Sequence, residues 1–116
     1  MAFRNSISGS IVVGQTTSNA LFLDNKAPVA LVLSGSVVTG TKLSFLVSND
    51  DATYLPMYDE TSTEFSLTVT NAARVYSLPA TKFWGWNSMK VYEGVSASAV
   101  AQATYNVLFD IVLMPV

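Results

Sequence analysis

The chain has 116 residues, half of them hydrophobic, with six basic and eight acidic side chains, no histidine and no cysteine. That is enough apolar material for a single domain with a core of its own. It excludes disulfides, thiolate chemistry and imidazole catalysis. A net charge of −2, with Arg4, Lys26, Lys42, Arg74, Lys82 and Lys90 scattered singly, argues against nucleic acid as a partner.

From the N-terminus, "MAFRNSIS" (1–8) reads as an N-terminal arm, without the continuous apolar run of a signal peptide. Strand signals then dominate. "SIVVGQTT" (10–17), "ALFLD" (20–24) and "PVALVLS" (28–34) come first, and "KLSFLVS" (42–48) alternates with Leu43, Phe45 and Val47 on one face. "TYLPMYD" (53–59) carries Pro56, which cannot donate to a ladder, so it reads as an edge or bulged strand. "EFSLTVT" (64–70), "RVYSL" (74–78) and "WNSMKVYE" (86–93) follow. "LPATKFWG" (78–85) reads as one helical turn opened by Pro79 and closed by Gly85, and "SASAVAQA" (96–103) as a loop. The final strand "YNVLFDIVLMPV" (105–116) has Tyr105, Val107, Phe109, Ile111 and Leu113 on one face and Leu108, Val112 and Met114 on the other. Strands recurring every eight to twelve residues, split by turns such as "DNKA", "SNDDA" and "DETSTE", predict a single antiparallel β-domain of eight or nine strands.

Two features set this chain apart from an ordinary soluble domain. Charged residues are 12% of the sequence, against about 25% usually, or about one charge per 400 Å² of folded surface. The last strand is apolar on both faces, whereas a surface strand normally shows water a polar one. Both point to burial against another protein, with Leu108, Val112 and Met114 as the candidate contact. The competing reading places those side chains under the loop "SGSVVTGT" or the Ala-rich segment of the same chain. No apolar run reaches the roughly 18 residues of a membrane span.

Sites for chemistry are few. "NDD" (49–51) holds too few oxygens for a hard cation and reads as an Asx turn, and Asp59, Glu60 and Glu64 fall in a hairpin turn. Neither catalysis nor a metal or other cofactor is expected. Trp84 and Trp86, one residue apart in "KFWGWN", would share a face if the stretch were a strand, forming an aromatic platform on which a glycan could stack. The competing reading places one of them in the core.

The stretches "LSFLVSNDDATYLPMYDETSTEFSLTV" (43–69) and "VYSLPATKFWGWNSMKVYEG" (75–94) resemble a group of small virion proteins of tailed bacteriophages. The shared pattern falls on Leu43, Phe45, Val47, Ser48, Asp51, Thr53, Tyr54, Tyr58, Asp59, Glu64 and Val69, then on Tyr76, Leu78, Phe83, Gly85, Lys90, Val91 and Gly94. The opening "NSISGSIVVGQTTSNALFLD" is similar to the group's first hairpin. Thr61–Ser62–Thr63 departs from it, where the group carries a glycine. The layout is also distantly similar to discoidin-like jelly rolls. The resemblance implies a jelly-roll β-sandwich and no catalytic residues. It implies a structural protein of the virion, most simply a capsid decoration or cement subunit binding copies of itself, the major capsid protein, or both. The alternative is a carbohydrate-binding module or small tail or fibre component that attaches to glycans.

Overall fold

The computed structural model describes residues 5–34, 42–70, 72–103 and 105–115. Among them are ten strands: β1 (Ser6–Ile11), β2 (Leu21–Phe22), β3 (Lys26–Ser34), β4 (Lys42–Ser48), β5 (Leu55–Pro56), β6 (Ser66–Thr68), β7 (Ala73–Ser77), β8 (Ser88–Val95), β9 (Ser98–Ala99) and β10 (Val107–Pro115). All pairings are antiparallel. One sheet runs β1-β10-β3-β7; the other runs β2-β8-β4-β5, with β6 also on β4 and β9 on β8. The one helical element among the described residues is a 3-10 turn at Ala80–Phe83, behind Pro79, as the sequence predicts.

Alternation decides which side chains meet between the sheets. Ile11, Leu31, Leu33, Phe109 and Ile111 from the first sheet face Leu21, Leu43, Phe45, Met89 and Val91 from the second, all within 2% of full burial. Phe45, Phe65 and Phe83 close one region with centroids 5.4 to 6.1 Å apart, two of the three pairs edge-on. Glu93, register partner of Leu43 on β8, is also fully buried.

Several elements differ from the expected ones. Ten strands stand where eight or nine are expected, because β9 forms inside the Ala-rich stretch: Val100 N donates to Glu93 O at 3.0 Å and closes a small hairpin over Gly94. The first strand starts earlier, so Ser6, Ile7 and Ser8 of the supposed arm pair with Val112, Ile111 and Asp110; residues 1–4 lie outside the described residues. "TYLPMYD" gives only the two paired residues Leu55 and Pro56, and the chain on either side serves as a cover rather than a strand. At the departure from the phage pattern, Ser62 takes a φ of 62°, the left-handed conformation that glycine adopts most easily. Asp59 Oδ1 holds that turn by accepting from Thr61 N, Thr61 Oγ1 and Thr63 N at 2.7 to 3.0 Å.

Candidate functional site

Directly opposed residues of an antiparallel ladder share a face, so the register maps the outer surface of the four-stranded sheet row by row. One row is Ser8, Asp110, Val32 and Val75; the next is Ser6, Val112, Ala30 and Ser77; beyond the first, Ser10 lies beside Leu108. Val75 is 66% exposed, Leu108 53% and Met114 41%, while Val112, Val32 and Ala30 are half-buried by their neighbours. Asp110 is the one ionisable side chain in these rows, and Ser8 Oγ donates to its carboxylate at 2.6 Å. The result is a serine margin along β1 and an apolar field across β10, β3 and β7.

The three residues singled out on the last strand therefore lie on its outward side, with a register shift between Val112 and Leu113 setting Met114 apart from the regular rows. The sequence reading missed Val75, Val32 and Ala30. The signal was present in β3, whose "KAPVALVLS" is as apolar on both faces as β10 is. The two strands are neighbours, so their second faces form one surface. Residues 35–41 of the proposed covering loop lie outside the described residues. The Ala-rich segment is pinned elsewhere: β9 lies on β8, Gly14 N donates to Gln102 O, and Gln102 N donates to Gln15 O.

The other sheet is the one whose second face is covered by its own chain. Ser44, Ser48, Ser88 and Tyr92 face outward from β4 and β8 yet are 0 to 3% exposed. Two hydroxyl relays pin residues from 49–65 over them. Ser88 Oγ gives its one proton to Asp51 Oδ1 at 2.6 Å, so the 2.8 Å contact with Tyr54 must have the tyrosine as donor. Ser96 Oγ likewise donates to Glu64 Oε1 at 3.0 Å, which makes Tyr58 the donor in its 3.0 Å bond to Ser96; Tyr92 also donates to Glu64. Lys90 Nζ sits 4.3 Å above the Tyr54 ring. These tyrosines hold the fold together.

Trp84 and Trp86 do not meet the geometry of a two-ring platform. They follow the 3-10 turn with no strand beneath them, and Gly85 between them has a φ of 90°, so strand alternation does not apply. Trp86 packs against the core and Trp84 is 53% exposed. Among the described residues no three His, Cys, Asp or Glu side chains gather as a metal-binding group. No helix there is long and apolar enough to cross a membrane.

No known family model matches the chain, and no curated protein matches it in sequence. In structure it is similar to YomS, an SPBc2 prophage-derived protein, with a TM-score of 0.50 over 98% of this chain and 99% of that one, at 11% identity. The likeness is one of fold.

Proposed function

We propose that the chain is a non-catalytic structural protein of a bacteriophage virion, a capsid decoration or cement subunit that docks through the outer face of its four-stranded sheet. The observation that carries this reading is that face: apolar across three strands, open to water, with its single carboxylate already engaged by Ser8. The prophage origin of YomS supports a phage setting. The strand order supports a jelly roll, since β1-β10-β3-β7 packed on β2-β8-β4-β5 is the order produced by two interlocked Greek keys, an architecture common in viral shells.

Magnitudes favour a lattice subunit over a free-standing dimer. Four strands at about 4.8 Å spacing and some seven residues of length cover about 400 Å². That matches the functional patches of monomers but is only about half of what each partner buries in a standard stable interface. Burial of this face and its counterpart removes about 800 Å² from water, at most about 20 kcal/mol if all of it were apolar, and the serines and Asp110 in the rows bring that down toward the about 4 to 15 kcal/mol lost on association. Such a contact nearly breaks even alone and becomes firm when a pre-organised shell supplies several at once. Quantitative mass spectrometry of purified virions from the genome that encodes the chain tests the assignment. The expected result is a fixed copy number per particle, comparable to other shell components. Absence from washed particles would overturn it.

A further inference from the structure

Trp86 lies at the centre of a trough walled by residues 22–26, 47–58 and 85–87, and nothing in the virion role uses it. Three depressions adjoin there. One, of about 400 Å³, is apolar, with Val47, Met57 and Trp86 along it and Leu55 and Tyr58 exposed at the rim. The second, of about 410 Å³, shares Trp86 and adds Asn25, Lys26 and Asn87. The third, of about 490 Å³, shares Asn25 and Asn87 and adds Asp24, Asp51 and Phe22.

The walls are fixed by backbone bonds. Asp24 and Asn25 have φ of 51° and 59° and form a two-residue turn in which Lys26 N donates to Leu23 O at 3.0 Å. Asn87 ties this turn to β4: its carbonyl accepts from Leu23 N, its own N donates to Ser48 O, and its Nδ2 donates to Asn49 O, all within 2.8 to 2.9 Å. The side chains of Asp24 and Asn25 make no hydrogen bond among the described residues and stand over the trough.

We infer that this trough binds a neutral oligosaccharide, one ring against Trp86 and Tyr58 and the neighbouring hydroxyls on Asn25, Asp24 and Asn87. A sugar offers apolar C–H faces and closely spaced hydroxyls side by side, which is the pattern of the walls: aromatic in one compartment, amide and carboxylate in the next. An apolar peptide side chain would fill the first compartment but leave the amides and carboxylates beside it desolvated and unpaired. Two aspartates against one lysine disfavour an anionic chain. The inference is independent of the virion role and can fail without it.

The test is titration of the full chain with chitotetraose, maltohexaose and cellohexaose, and with a heparin hexasaccharide as the anionic control. It is read by Trp fluorescence and by amide chemical shifts. Saturable binding of a neutral probe is expected, with shifts centred on residues 24–26 and 86–87. It should weaken at least tenfold in Asn25→Gly, which removes the side chain at a φ of 59° that glycine adopts without strain, and stay unchanged in Trp84→Phe. No saturable shift with any neutral probe at 10 mM would overturn it. So would binding only to heparin, or binding that survives Asn25→Gly and is lost in Trp84→Phe.

Discussion

A Cβ added at Gly9 would stand 2.5 Å from Phe109 Cζ and 2.7 Å from its Cε2. Gly9 is the register partner of Phe109 on β10, and Phe109 is 2% exposed in the centre of the core, so its ring has nowhere to retreat. Gly9→Ala is expected to destabilise by about 1 to 3 kcal/mol, the usual range for overpacking. Urea unfolding followed by fluorescence measures it, and combining the change with Phe109→Leu should recover part of the loss through coupling. Equal stability of Gly9→Ala and wild type would contradict the packing described. The sequence hints at this position, because a glycine inside a strand marks a close approach, but it does not say which residue approaches. Trp86 is a similar case. Its type and spacing suggest a surface strand, while the positive φ of Gly85 and the packing of the Trp86 ring against the core come from contacts far along the chain.

At the scale of elements, the turns are where composition speaks most directly. "SNDDA" reads as a solvated Asx turn and "DETSTE" as a hairpin turn, and each is held by one aspartate. Thr53 N, Ala52 N and Ser48 Oγ donate to Asp50 and hold its carboxyl below the ordinary value; Thr61 Oγ1 and Thr63 N do the same for Asp59. A lowered folded-state pKa gives stability that is complete above the ordinary carboxylate value of about 3.9 and is lost as pH falls through the lower folded one. The contribution of these two turns to the melting temperature is therefore expected to stay constant from about pH 8 to 5 and to fall below about pH 4. The double variant Asp50→Asn, Asp59→Asn should show a shallower acid limb in a calorimetric series. An unchanged acid limb would contradict the turn account. Strand limits were less legible. "TYLPMYD" alternates well enough to be a strand, but Pro56 donates nothing and Tyr54 and Tyr58 hydrogen-bond to Ser88 and Ser96, so the segment peels away to cover the sheet.

For the molecule as a whole, all-β antiparallel architecture follows from alternation and turn spacing, and the structure has it. Strand order does not follow, because pairings such as Ser6 with Val112 join residues from opposite ends of the sequence that no local signal connects. The two-faced apolar pattern of β10 was legible, and its meaning depends on a neighbour: β3 repeats the pattern beside it, and together they make one continuous apolar surface. The second sheet shows the opposite solution. Ser44 and Ser48 look like an exposed polar face in sequence and are buried by the chain itself, Ser44 Oγ donating to Gly94 O and Ser48 Oγ to Asp50.

If, as we propose, the outer face of the four-stranded sheet docks in the virion, a charge placed on it must cost incorporation. The direct test is the copy number of the chain in particles grown from genomes carrying Val112→Glu or Val75→Glu, compared with wild type. Both variants should first be shown folded by circular dichroism. Val75 is 66% exposed, so a charge there leaves the fold intact while placing an unpaired carboxylate in the contact. Both folded variants are expected to be lost from particles or reduced at least tenfold. Incorporation of both at the wild-type level would contradict it.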